Sequence, residues 1–245
     1  MDCVILAAGY ATRLYPLTEN MPKPLLEIKG KTILDWLVDD ISSSGEVDRF
    51  IVVSNHKFAE HFKKWADSKP QNIEVLDDGT TSNETRLGAV CDVQLAIENF
   101  GLSDDTMVIA GDNVLDFSLC RFIEFFKKSG TSAVMRYFEN DENRLKRGGV
   151  LSINDNGIIT EMEEKPENPK SNWLCPPFYI YKKEDVPKVK EGLLDGCGKD
   201  APGSFIAWLC KKSPVSAMEM PGRRYDIGTV ESYREVQNTY KGLII

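Results

Sequence analysis

Apolar positions along this chain change period several times, and the changes outline its elements. Residues 2–7 form a short, nearly continuous apolar run (Cys3, Val4, Ile5, Leu6), as expected of a strand buried on both faces. Residues 31–44 place Ile33, Leu34, Leu37, Val38 and Ile41 at helical spacing, with Thr32 as a candidate N-cap and Asp35 three places on. Residues 50–53 (Phe-Ile-Val-Val) read as a strand, 57–68 as a helix, 73–76 as a strand and 86–99 as a helix. A strand over 106–110 ends at Gly111-Asp112-Asn113, followed by a helix over 117–129 and a strand over 132–137. Strands alternating with helices predict a mostly parallel sheet covered on both sides. Such sheets bind ligands beyond the carboxyl ends of their strands, where the loop after residue 6 and Gly111-Asp112-Asn113 both lie.

The second half has a different texture. Residues 149–153 and 158–162 flank a turn from Asn154 to Gly157, which predicts a β-hairpin. Glu164 to Pro169 is a polar, proline-bearing loop, and 178–181 a strand. Helices over 183–195 and 203–212, a strand over 215–220 and a closing helix over 230–240 follow. No repeat or Gly/Ser linker divides the chain, so a single domain over 1–245 is the simplest organisation.

Composition narrows the function classes. The chain has 245 residues, 42% of them hydrophobic and 28% charged, enough for a sizeable core. A net charge of −8 argues against a broad basic face for nucleic acid. The six cysteines include no CxxC pair, and the only histidines, His56 and His61, lie away from the motifs below, so a structural zinc site is not expected. Scattered cysteines, no leader pattern and no membrane-length apolar run lead us to expect a reducing, cytoplasmic setting without a membrane partner.

Residues 6–26 carry the candidate chemistry. Small residues at Ala7, Ala8, Gly9 and Ala11 let backbone amides approach an anion, and Arg13 and Lys23 bring two cations to the same place. Proline on both sides of Lys23 suggests a rigidly aimed side chain. A strand, a loop without bulk and two spaced cations suit a nucleoside triphosphate.

Six motifs in order then resemble the sugar-1-phosphate nucleotidyltransferases. Leu6 to Leu14 resembles the family's G-x-G-T-R signature and Met21 to Leu25 its P-K-P-L segment. Leu87-Gly88-Ala89 resembles its L-G-x-A helix start, Gly111-Asp112-Asn113 its G-D-N turn, Glu164-Lys165-Pro166 its E-K-P motif and Asp226 to Thr229 its D-x-G-T motif. The resemblance covers nearly the whole chain. It implies a three-layer α/β sandwich with a mostly parallel, mixed central sheet, Rossmann-like and of the nucleotide-diphospho-sugar transferase type. Residues 1–140 would form the NTP-binding half and 141–245 the acceptor-binding, sheet-completing half.

The reaction implied is sugar 1-phosphate plus NTP giving NDP-sugar and pyrophosphate, with Mg²⁺ as cofactor. Asp112 and Asp226 would hold the metal. Lys23 would neutralise charge at the α-phosphate, and Arg13 would hold the departing pyrophosphate. Leu6, Ala8, Gly9, Thr80, Asn83 and Gly88 would contact the nucleotide, with dTTP or UTP the expected substrate. Gly149, Glu164 and Lys165 would hold the acceptor, Lys165 through its phosphate and Glu164 through sugar hydroxyls. A homo-oligomer is compatible with the resemblance, the apolar stretch 204–210 serving either an interface or the core. Ala11 replaces the second glycine of the signature, and Arg224 stands where the family often has tryptophan. Within the same class a cytidylyltransferase acting on a non-sugar phosphate such as phosphocholine is the alternative, and Ala11 and Arg224 allow a binding or regulatory homologue of weak activity. The first loop lacks G-x-G-x-x-G, which disfavours a nicotinamide enzyme.

Overall fold

The computed structural model describes residues 1–244. Its elements begin with β1 (Asp2–Leu6), β2 (Glu27–Ile28), β3 (Lys31–Thr32), α1 (Ile33–Ser43), β4 (Arg49–Ser54), α2 (Ala59–Ala66), β5 (Ile73–Asp77) and α3 (Ala89–Phe100). They continue with β6 (Thr106–Ala110), β7 (Val114–Leu115), α4 (Cys120–Ser129), β8 (Ser132–Phe138), α5 (Glu142–Leu145), β9 (Gly149–Ile153), β10 (Ile159–Glu164) and β11 (Trp173–Cys175). The last are β12 (Phe178–Tyr181), α6 (Lys188–Leu194), α7 (Gly203–Leu209), β13 (Val215–Glu219), β14 (Arg224–Tyr225) and α8 (Val230–Thr239). The chain visits two compact units alternately. One comprises Met1–Arg86, Ala110–Arg121 and the segment from Pro221 onward; the other comprises Leu87–Ile109 and Phe122–Met220.

In the first unit β1, β4 and β5 run parallel, with Val4 beside Ile51 and Val52 beside Val75. Cys3, Val4, Ile5, Ile51 and Val52 are fully buried, which is why β1 and β4 read as unbroken apolar runs. Helix α1 starts at the predicted cap: Thr32 Oγ1 accepts from Asp35 N, and Asp35 Oδ2 accepts from Thr32 N, both at 3.0 Å. A second apolar cluster joins Leu14, Leu26, Ile28, Ile33 and Val114 to Tyr233, Val236 and Tyr240 from and just after α8.

In the second unit β12 lies antiparallel to both β6 and β8, and β13 runs parallel to β8. The β9–β10 hairpin forms as predicted, its turn closed by Gly157 N donating to Asn154 O at 2.9 Å. Strand β11 was not expected; it pairs with both β8 and β9. Buried Asp185 accepts from Ser132 Oγ, Lys188 Nζ and Ser213 Oγ at 2.5–2.8 Å, tying β8, α6 and the approach to β13 together. Mixed pairing in this unit and parallel pairing in the first give the α/β sheet that the sequence predicts. Helix α6 begins at Lys188 rather than 183, and α3 at Ala89 rather than 86. At α3 the reason is local: Gly88 has φ +98°, outside helical space.

Candidate functional site

The loop after β1 is held from behind and open in front. Ala7 N donates to Val53 O, and Asn55 Nδ2 donates to Ala8 O, both at 2.9 Å. Leu6 and Ala8 are half-buried, and Gly9 is exposed. A Cβ added to Gly9 would meet nothing within 4 Å, so the fold itself does not demand glycine there. Ala11 does occupy a glycine-like conformation, φ 47° and ψ 40°. Its carbonyl accepts from Leu14 N at 3.0 Å and from Thr18 Oγ1 at 2.8 Å, which pins the strained residue. Arg13, in the 3-10 turn Thr12–Leu14, is exposed.

Lys23 lies between two prolines and is only 9% exposed. Its Nζ donates to Asp112 Oδ2 at 2.7 Å. Asp112 follows β6 through Gly111, whose N–H donates to Leu6 O at 2.9 Å. A Cβ at Gly111 would come within 2.9 Å of Ile5 Cγ2, so this turn needs glycine for close packing. Asn113 is 1% exposed, and its Nδ2 donates to Ala110 O at 2.9 Å and lies 3.4 Å from Asp112 Oδ1. Burial opposes ionisation of Asp112, yet the ammonium of Lys23, aided by Arg224, holds its carboxyl below the usual range.

The antiparallel pair β7–β14 sets Leu115 opposite Arg224 and Val114 opposite Tyr225. Continued by one residue, that register sets Asp226 opposite Asn113. Asp226, 114 residues from Asp112 in sequence, thus follows a strand that pairs with the segment just after Asp112. Asp226 is exposed.

The loop 77–83 is braced mainly from within. Asp78 Oδ1 accepts from Thr80 N and Thr80 Oγ1, both at 2.7 Å, and Thr80 O accepts from Tyr10 OH at 3.2 Å. Thr80 is buried and its donors are spent on the loop, whereas Asn83 is exposed. His56, expected with His61 to lie away from the motifs, meets this loop. Its N–H donates to Thr80 O at 2.9 Å, and its Nδ1 lies 2.6 Å from Asp77 Oδ2. The periodicity of 57–68 gave no sign of this, because His56 sits in the turn before α2.

In the second unit Glu164 closes β10 opposite Gly149 of β9. A Cβ at Gly149 would meet Met162 Cε at 2.5 Å and Glu164 Oε2 at 3.0 Å, and one at Gly203 would meet Glu164 Oε2 at 2.3 Å. Two glycines thus make the seat of this carboxylate. Its burial, reinforced by Asp200 and opposed by Lys165, raises its pKa. Lys165 has φ +52°, its N–H donates to Gly148 O at 2.9 Å, and its Nζ lies 3.6 Å from Asp200 Oδ2. A lysine in left-handed backbone beside a buried carboxylate is the kind of local strain that functional sites retain. Asp200, between the helices expected over 183–195 and 203–212, was not singled out in the sequence. Its carbonyl accepts from Ala89 N at 3.2 Å, and that of Lys199 accepts from Val90 N at 3.0 Å. Gly88 serves this contact, since a Cβ there would meet Lys199 O at 2.6 Å.

This combination of α/β units, glycine loop, lysine–carboxylate pair and Glu-Lys turn coincides with a known family. The nucleotidyl transferase family model matches residues 2–242, and the chain belongs to that family. The UTP–glucose-1-phosphate uridylyltransferase AglF of Haloferax volcanii is 31% identical over 97% of this chain and 95% of its own length. The bifunctional protein GlmU of Methanocaldococcus jannaschii is 29% identical over 93% of this chain, which spans 51% of that relative. A UDP-glucose pyrophosphorylase solved with UDP-glucose has the same fold, with a TM-score of 0.81, 21% identity, and coverage of 98% of this chain and 97% of its own.

Proposed function

We propose that the chain catalyses Mg²⁺-dependent transfer of a nucleoside monophosphate from dTTP or UTP to a sugar 1-phosphate. The observation that carries this reading is the 2.7 Å Lys23–Asp112 pair, and the pairing of β14 with β7, one residue before Asp226, supports it. Two carboxylates without a third acidic, histidine or cysteine ligand fit Mg²⁺, which fills its remaining positions with water and phosphate oxygens. Among the described residues no group of three or more such ligands occurs. Bound there by Asp112 and Asp226, Mg²⁺ would neutralise phosphate charge.

The chain's own residues do the rest. The open backbone N–H groups at Gly9 donate to phosphate oxygens, and Arg13 holds the β- and γ-phosphates. Lys23, aimed by its prolines and by Asp112, offsets charge developing at the α-phosphate. Lys165 grips the acceptor phosphate and Glu164 accepts from sugar hydroxyls. An oxygen of the acceptor phosphate forms a bond to the α-phosphorus while the bond to the β-bridging oxygen breaks, and pyrophosphate leaves with that electron pair. The nucleophile is already an anion near neutral pH, so no general base is required. Leu6, Ala8, Asn83 and the loop braced by Thr80 border the base, and Gly88 and Gly149 shape the backbone around the substrates.

One observation favours a second acceptor class. Glu164 and Asp200 place two carboxylates around the single cation Lys165, which suits a phosphate ester carrying its own positive charge, such as phosphocholine. Pyrophosphate release, measured for five NTPs against glucose 1-phosphate and phosphocholine with MgCl₂, tests both readings. Turnover with dTTP or UTP and the sugar phosphate is expected, reduced about 100-fold or more in Asp112→Asn. Turnover with phosphocholine alone would replace the sugar reading, and none with any pair would overturn both.

A further inference from the structure

Strand β14 carries a cation that the proposed reaction scheme has not used. Successive side chains on a strand alternate in direction, so Arg224 and Asp226 share one face while Arg223 and Tyr225 share the other. The contacts agree: the Arg223 guanidinium stacks on the Tyr225 ring at 4.8 Å, and Tyr225 packs against the apolar cluster around Tyr240. On the opposite face Arg224 Nη1 donates to Asn113 Oδ1 at 3.1 Å. Asn113 is fixed in turn, because its Nδ2 is committed to Ala110 O at 2.9 Å. A 1%-exposed asparagine with both ends of its amide engaged is a costly brace for an arginine that only decorates a surface. Arg224 is half-buried.

We infer that Arg224 is a third phosphate-holding cation of the transfer site, oriented by Asn113 and acting with Lys23 and Arg13 on the triphosphate. The inference rests on the nucleotidyltransferase reading above. One of its five donors holds Asn113, which leaves a planar fork for phosphoryl oxygens. Its charge also completes a balance. Lys23 and Arg224 offset Asp112 and Asp226, so this face is close to neutral before a ligand arrives. A triphosphate with its metal then meets two fixed cations without having to displace Lys23 from Asp112.

Calorimetric titration of UTP and dTTP in the presence of MgCl₂, without acceptor, tests the assignment in three proteins. Arg224→Gln keeps a donor for Asn113 Oδ1 but removes the charge, and Arg224→Lys keeps the charge but not the fork. The unaltered chain should bind one of the nucleotides. Arg224→Gln should bind it at least tenfold more weakly, with a shallower salt dependence and an unchanged melting temperature in the absence of ligand. Arg224→Lys should fall between them. Equal affinity in Arg224→Gln and the unaltered chain would overturn the inference, as would equally weak binding in both variants with the salt dependence unchanged. No binding by the unaltered chain would instead overturn the reading of the site as a nucleotide site.

Discussion

Gly9 and Gly111 stand on neighbouring loops but answer to different constraints. Gly111 must be small because Ile5 lies 2.9 Å from where its Cβ would be, whereas nothing lies within 4 Å of a Cβ on Gly9. Fold and function therefore separate at Gly9. Gly9→Ala should leave the urea midpoint unchanged, within about 0.5 kcal/mol, because the new methyl meets only solvent. On the proposed function the same methyl would stand where phosphate oxygens approach the backbone, so the KM for NTP should rise about tenfold, equivalent to about 1.4 kcal/mol. A large loss of stability, or unchanged kinetics, would count against an anion-binding loop. Glu164 makes the reverse case. Burial favours its neutral form, so its folded pKa lies above the unfolded value. The ionised form then costs stability near neutral pH, and that cost vanishes as pH falls through the raised value. Glu164→Gln should accordingly melt higher than the unaltered chain at pH 7.5, with the gap closing on acidification. Its KM for the acceptor should meanwhile rise about tenfold, through loss of a charge-assisted hydrogen bond.

Elements with their own periodicity could be read from the sequence, and elements made by a partner could not. The cap of α1 was legible because Thr32 and Asp35 satisfy each other locally. Strand β11 was not, since Trp173–Cys175 is followed directly by two prolines and is a strand only because β8 and β9 lie on either side of it. Strands β7 and β14 are two residues long, too short for any pattern, yet they pair the segment after Asp112 with the one before Asp226. The motif residues were thus visible in the sequence one by one, while the contacts Asn113 to Arg224 and Lys165 to Asp200 were not. The segment Lys199–Asp200 shows the same dependence. It caps the first amides of α3 through Ala89 and Val90, and only a glycine at 88 allows the approach. Gly88→Ala combines a positive φ of 98° with a 2.6 Å clash against Lys199 O. It should cost about 2–4 kcal/mol in urea unfolding. By shifting Asp200 away from Lys165 it should also change the KM for acceptor more than that for NTP. Equal changes in both would detach this segment from acceptor binding.

At the scale of the molecule, the first unit is assembled from three separated stretches, and its last stretch supplies part of its core. Tyr233, Val236 and Tyr240 are each 8% exposed or less and pack with Leu14, Leu26, Ile28 and Val114. Tyr240 OH also donates to Leu115 O at 2.7 Å, and Tyr233 OH to Glu27 O at 2.8 Å. Each buried side chain of this kind contributes about 1.5–3 kcal/mol, so the three together rival the roughly 5–15 kcal/mol that stabilises a typical domain. A chain stopped after Thr229 keeps every motif residue, including Arg224 and Asp226, but loses this wall of the core. It should fail to bind NTP even though no residue assigned to the nucleotide is missing. Amide hydrogen exchange would locate the cause: protection should be lost in Asp2–Leu6 and Arg49–Ser54, the parallel strands whose loops carry the site. Retained protection in those strands, with nucleotide binding intact, would show that the closing helix is dispensable to the unit. The site's precision would then have to come from β1, β4 and the Lys23–Asp112 pair alone.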